Sequence, residues 1–245
     1  MPYLDYIEDN VLIQHVSNVV KAALDAKERA LNKFHANVID PFAAMFEMAG
    51  FQLGRDEWKE SELARKAQKS LQNHVGDFHQ KILGCVDGWN DMGIGGNIDL
   101  RSEGNRIIAE VKNKYNTVSG GKLVNVYEDL ESLVNPRSSI YYNYTAYFVT
   151  IIPKANDRRF DNPFTPPDRS SGQRCTENQN IRTIDGCSFY HKVTGREDAL
   201  CELYEVLPIV IERVLDQNTS LAGFRFSTQD KDALTSYFKK AFIVE

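Results

Sequence analysis

The chain has 245 residues, 42% of them apolar, 29 Lys and Arg against 34 Asp and Glu, and a formal net charge of −5. That length and composition suit one large globular domain or a core with a smaller appendage. The acidic balance argues against a protein that coats nucleic acid nonspecifically, yet leaves room for a local basic surface. The most apolar run, "TAYFVTIIP", is strand-sized and the first residues lack a basic-then-apolar leader, so no membrane partner and an intracellular, cytoplasmic location are expected. Cys85, Cys175, Cys187 and Cys201 show no CxxC spacing, which predicts reduced thiols and neither a zinc site nor a disulfide framework.

In chain order, residues 1–55 read as a helical N-terminal region, with Leu12, Val16, Val19, Val20, Ala23 and Leu24 at helical spacing. A second amphipathic helix is expected from Asp56 or Ser61, carrying Leu63, Ala67, Leu71, Val75, Phe78 and Ile82 on one stripe until "GCVDGWNDMGIGGN" breaks it. The segment "NIDLRSEGNRIIAEVKNK" then reads as a hairpin. "LVNVYEDLESLV" reads as a helix and "YTAYFVTIIPK" as a buried strand ended by Pro153, which closes a core of residues 56–153. Residues 154–182, rich in Pro, Arg and amides without periodicity, form a candidate recognition loop. Residues 183–245 should hold a strand, "GCSFYHKVT", a helix "REDALCELYEVLPIVIERVL" capped by Thr194 or Gly195 and kinked at Pro208, and a terminal helix.

The hairpin carries the chemistry. If Gly104 and Asn105 are the central residues of a two-residue turn, Glu103 pairs with Arg106, Asp99 lies opposite Glu110, and Ile98 lies opposite Val111. Alternation places Asp99, Glu110 and Lys112 on one face and Ile98, Leu100, Ile107, Ala109 and Val111 on the other. Opposed residues have Cβ atoms roughly 5 Å apart, and like charges so placed repel. A divalent cation held by the carboxylates, with the Lys112 ammonium beside them, compensates that repulsion, and the oxygen donors suit Mg²⁺. The alternative is a solvated charged face with no function.

Other motifs fail. "GIGGN" precedes a strand and is followed by no Gly-Lys-Ser/Thr, so no nucleotide cofactor is expected. His74 and His79 are five apart, about 140° around a helix, and cannot face one metal. There is no G-x-S-x-G.

Asp99, then ten residues, then Glu110-Val111-Lys112 resembles the PD-(D/E)xK nuclease superfamily, although Ile98 stands where the family pattern has proline. "GDFHQKILG", "GWNDMGIGGNIDL", "AEVKNKYNT", "YTAYFVTIIPK" and "GCSFYHKVTGREDALCELYEVLP" resemble the type II restriction endonucleases that recognise the interrupted palindrome GGNCC, from about Met1 to Val214. The resemblance implies an α/β (α+β) fold, a mixed central sheet flanked by helices in one catalytic domain, 1–245. It also implies Mg²⁺ bound by Asp99, Glu110 and the Val111 carbonyl, with Lys112 orienting or helping to deprotonate the attacking water. Glu62, Gln72 and Asp77 are weaker candidates for a further ligand. Double-stranded DNA is the implied substrate, and a palindrome is most simply matched by a homodimer. Because arginine reads guanine and amides read adenine, Arg158, Arg159, Arg169, Arg174, Asn178, Asn180 and Arg182 are candidate DNA contacts. Lys114, Asn116 and Lys122 are candidate backbone contacts. Two alternatives stay open: a structure-specific or repair nuclease with the same metal core, and a noncatalytic DNA-binding module.

Overall fold

The computed structural model describes residues 2–36, 38–93, 95–96, 98–154, 158–217 and 221–242. Parts of the expected glycine-rich loop and of the 154–182 segment, at 94, 97 and 155–157, lie outside them. The chain divides into two compact units, Met1–Val16 with Gly76–Glu245, and Ser17–Val75. Helices α1 (Asp9–Asn32) and α3 (Arg55–Gly84) each contribute to both; α2 (Pro41–Phe51) belongs to the second. No helix among the described residues is long and apolar enough to cross a membrane.

The larger unit is built on a mixed sheet of six strands in the order β1-β2-β3-β4-β8-β5. Strands β1 (Asn90–Asp91), β2 (Leu100–Ser102) and β3 (Ile107–Lys114) are antiparallel neighbours. β3, β4 (Thr145–Ile152) and β8 (Ile181–Asp185) are parallel. Parallel strands need a crossover, and α4 (Leu123–Val134), on the expected residues, supplies the first one. Its Tyr127, Leu130 and Val134 pack with Ile108, Ala146 and Phe148. The alternate residues of the strands point the other way, where Tyr147 meets Phe189 of α5 (Gly186–Thr194). Both faces of the sheet are covered, so β4 reads as a continuous apolar run. The edge strand β5 (Asp161–Pro163) tolerates Pro163 because an edge position needs no donor there.

Two expectations for the C-terminal third are corrected. "GCSFYHKVT" is helix α5, and the strand is the preceding "IRTID". Asp185, almost fully buried, caps the helix by accepting from Ser188 N at 3.0 Å, and its other oxygen accepts from Phe160 N at 2.8 Å. Cys187, Phe189, Tyr190 and Val193 then fall on the buried side at helical spacing, which overrides the strand preference of the aromatic and branched residues. Gly186 is required at this junction: a Cβ there would lie 2.4 Å from the Ile151 carbonyl oxygen. Gly195 ends α5 in a left-handed conformation and does not begin the next helix, α6 (Ala199–Asp216), whose N-cap is Asp198. Within the 154–182 segment lie three short strands, β5, β6 (Pro167–Asp168) and β7 (Gln173–Arg174). The chain finishes in α7 (Thr228–Phe242).

Candidate active site

The register of the β2–β3 hairpin is the expected one, with Leu100 opposite Ala109, Arg101 opposite Ile108 and Ser102 opposite Ile107. The turn differs. Four residues, Glu103–Arg106, leave the ladder, Arg106 takes a positive φ of 52°, and Ser102 Oγ accepts from Asn105 Nδ2 at 3.0 Å. A four-residue loop closes the same strand pairs as a two-residue one, so the change leaves the facing of every side chain intact.

At the other end the ladder breaks at Asp99. Its N–H donates to the Ala109 carbonyl at 2.8 Å, its carbonyl accepts from Met92 N at 2.8 Å, and its carboxylate accepts from Val111 N at 2.7 Å. A side-chain oxygen thus takes a place that a backbone carbonyl would hold in a regular ladder. Two backbone bonds fix Asp99 at the edge of the hairpin, and the third holds its carboxylate beside β3. The same departure moves Ile98, expected with Leu100, into the opposite cluster around Ile108 and Phe148.

The result is a pair of adjoining acids. Asp99 and Glu110 interact directly through their carboxyl groups, and Lys112 Nζ makes an ion pair with Glu110 Oε1. Burial pushes the Asp99 carboxyl up, against the Val111 N–H and Lys112, and nearby Asp91 adds to the rise. Burial and then repulsion from Asp99 push Glu110 up, against Lys112. One ammonium does not neutralise two carboxylates, so the pair favours retaining a proton or taking up a cation. Among the described residues no set of three His, Cys, Asp or Glu side chains converges. The donors gathered here are two carboxylates, Asp99 just before β2 and Glu110 on β3, both hard oxygens. That chemistry fits a small divalent cation that keeps several of its waters.

Sequence reasoning missed a second layer. Asp91 of β1 accepts from Gln80 Nε2 at 2.7 Å and from Gly93 N at 2.9 Å, and pairs with Lys81. Burial pushes its carboxyl up, but Lys81, Gly93 and Gln80 outweigh that and hold it below the usual carboxylate range. Gln80 Nε2 also reaches the Asp99 carbonyl at 3.4 Å, so the end of α3 braces the strand that carries Asp99. Gly84 makes this approach possible, since a Cβ there would meet the Asp91 Cβ at 2.6 Å. The available signal was the breakpoint itself: "WND" follows the end of a long amphipathic helix by a few residues. Of the helix candidates, Glu62 is engaged by Arg65 at 2.6 Å and by Lys66 at 3.6 Å, and it lies in the other unit.

The sequence pattern of the Eco47II restriction endonuclease family matches residues 4–216. The chain belongs to that family. It is 52% identical over 242 residues, 99% of its length and 100% of the relative's, to the type II restriction enzyme Eco47II of Escherichia coli. It is 28% identical over 226 residues, 90% of its length and 84% of the relative's, to the type II restriction enzyme Sau96I of Staphylococcus aureus. The enzyme is thus a nuclease of a restriction system, and its partner is double-stranded DNA.

The residues singled out for DNA contact in this family member are spread along one side of the chain order, from the end of β3 to β8. Lys114 and Asn116 are exposed where β3 runs into its turn. Arg159, exposed and at φ 59°, precedes β5. Arg174 lies in β7, exposed, with Nε 3.4 Å from Thr165 Oγ1. Asn178 donates to Asn135 Oδ1 at 3.0 Å and its own Oδ1 accepts from Asn180 N at 2.9 Å, which orders the turn before β8. Asn180 is exposed, and its carbonyl accepts from Ala146 N. Two of the arginines are committed within the protein. Arg182 donates to Asp161 Oδ1 at 2.6 Å, to the Asp161 carbonyl at 2.7 Å and to Gln179 at 3.3 Å. Arg158 donates to the Lys240 carbonyl.

Proposed function

We propose that this restriction endonuclease cleaves both strands of a GGNCC palindrome in a Mg²⁺-dependent reaction, as a cytoplasmic homodimer of PD-(D/E)xK type, partnered in its host by a methyltransferase of the same specificity. The observation that carries the catalytic assignment is the adjoining Asp99 and Glu110 carboxyls, both raised in pKa and sharing one ammonium. Natural sheets avoid like charges side by side, so an arrangement that builds them in, holds one by a bond from Val111 N on a backbone itself fixed by two more, and adds Lys112 is organised around a charge it must bind.

Asp99, Glu110 and the Val111 carbonyl would hold the ion. When bound, Mg²⁺ supplies the Lewis acidity that offsets charge developing on the phosphoryl oxygens. Glu110 draws Lys112 to the site, and the ammonium orients the attacking water and stabilises its deprotonated form. Asp99 is held in place by Val111 N, so it does not have to reorganise as the ester is attacked. Gln80 and Asp91 keep the Asp99 backbone where it is.

For sequence reading, Arg159, Arg174, Asn178 and Asn180 are the proposed base-facing set, with Lys114 and Asn116 on the backbone. Arg158 and Arg182 need their intramolecular bonds exchanged before they can contact a base. The test is digestion of unmethylated DNA with and without Mg²⁺, followed by sequencing of the ends: fragments that end at GGNCC sites only when Mg²⁺ is present support the proposal, and ends scattered along the sequence refute the specificity.

A further inference from the structure

The Ser17–Val75 unit contains an element that the catalytic account does not use. Helix α2, "PFAAMFEMAGF", is well formed: Asp40 caps it by accepting from Phe42 N at 2.9 Å and Ala43 N at 3.1 Å, Pro41 stands at its start, and Gln52 closes it in the left-handed region. None of its residues is buried. Phe42, Met45, Phe46 and Phe51 are 71%, 65%, 76% and 69% exposed. Its one charged residue, Glu47, accepts from Trp58 Nε1 at 2.8 Å within the same unit. An isolated helix shorter than about 12 residues is marginal in water, and a helix apolar all round is a buried helix. Something must cover α2 in the working enzyme.

We propose that α2 is a dimerisation element and that its occupant is a second copy of this chain. This rests on the two-fold reading above. Three features favour a second copy. The face is aromatic and aliphatic with no cation, so it does not suit DNA. The same unit carries a receiving surface: a groove of about 420 Å³ between α1 and α3, where Ala23, Ala30, Ala64 and Ala67 leave room for aromatic rings between Leu31, Leu63 and Leu71, with Lys27, Glu60 and Gln68 completing the lining. A two-fold axis lets each copy offer both the helix and the groove. The area also fits. At roughly 200 Å² for a whole Phe, the three exposed rings alone offer about 400 Å²; Val38, Leu31, Met45 and the groove bring this near the ~800 Å² per partner of a standard interface.

The test is sedimentation equilibrium of the full chain, free and on a duplex with one GGNCC site, for the wild type and for Phe42→Asp with Phe46→Glu. Both positions are exposed, and an acid in the first helical turn suits the helix dipole. The expected result is a wild-type dimer and a monomeric double variant with unchanged circular dichroism, its dimer dissociation constant raised at least about 100-fold. Met45→Lys, a single exposed change, should weaken the dimer in the same sense and replaces the double variant if that one unfolds. A variant that dimerises like the wild type, free or on DNA, overturns the α2 surface while the two-fold reading stands. A wild type that is monomeric free and binds as one copy per duplex overturns both.

Discussion

Replacing Asp99 by Asn should separate what this carboxylate does for catalysis from what it does for the fold. Asparagine keeps the shape and an oxygen for the 2.7 Å bond from Val111 N, but removes one charge of the repelling pair. The bond to an anionic acceptor weakens to a neutral one, a loss of about 1 kcal/mol. Against this stands relief of the repulsion that, with burial, keeps both carboxyls raised. The two nearly offset, so the metal-free variant should match or exceed wild-type stability by up to about 1 kcal/mol. Cleavage should behave differently. Removal of one fixed electrostatic stabiliser costs about 3–4 kcal/mol of barrier, or a 10²–10³-fold fall in rate, and loss of a metal ligand adds to that. The assays are urea denaturation in chelator and single-turnover cleavage of a duplex with one site in Mg²⁺. A variant that cleaves within tenfold of wild type refutes the metal assignment. One that is destabilised by several kcal/mol makes Asp99 a structural residue first.

Lys112→Ala should reduce cleavage at least about 100-fold but with the opposite stability sign, a loss near 1 kcal/mol, because Glu110 loses its ion pair beside Asp99; equal denaturation curves would count against that electrostatic picture. Burial pushes His79, 2.8 Å from the Tyr190 hydroxyl, down to about 4. A base whose pKa is lower folded than unfolded takes up its proton on unfolding, so its contribution is whole above about pH 6.5 and is lost as pH falls toward 4, at most about 3 kcal/mol. Urea midpoints of wild type and His79→Gln at pH 7 and 5 should therefore converge on acidification, and parallel shifts would remove His79 as the cause. Gly84→Ala should destabilise by about 1–3 kcal/mol and lower cleavage, since its Cβ meets Asp91 at 2.6 Å; unchanged thermal unfolding would show that β1 has room to move. Arg182→Ala should destabilise, because Asp161 exchanges a 2.6 Å guanidinium bond for the longer contacts it keeps with Lys192 and the Tyr147 hydroxyl, whereas Arg174→Ala should leave stability intact and weaken binding to the target, as fluorescence anisotropy across a salt series would register.

Much of this was legible because it follows from local periodicity. Helix α4 falls on "LVNVYEDLESLV", and the hairpin register survived a wrong turn length because loops of two and four residues close the same pairs. What failed depended on partners distant in sequence. Aromatic and branched residues in "GCSFYHKVT" suggested a strand, but the cap at Asp185 and burial against β4 make it a helix. Ile98 changed sides because Asp99 replaced a ladder bond with a side-chain one, which alternation alone does not foresee. Asp91 entered the site through Gln80 and Lys81, ten or eleven residues away on another element. Arg182 looked like a free guanidinium until β5 brought Asp161 to it.

The central claim is that the hairpin carboxylates hold the cation that makes cleavage at GGNCC possible. The most direct measurement is end-sequencing of long unmethylated DNA digested by wild type, Asp99→Asn and Lys112→Ala, each with Mg²⁺ and with chelator. The account predicts ends confined to GGNCC sites for wild type with Mg²⁺, and intact DNA in every other lane at the same enzyme concentration. Site-confined ends from either variant, at wild-type yield, would contradict it.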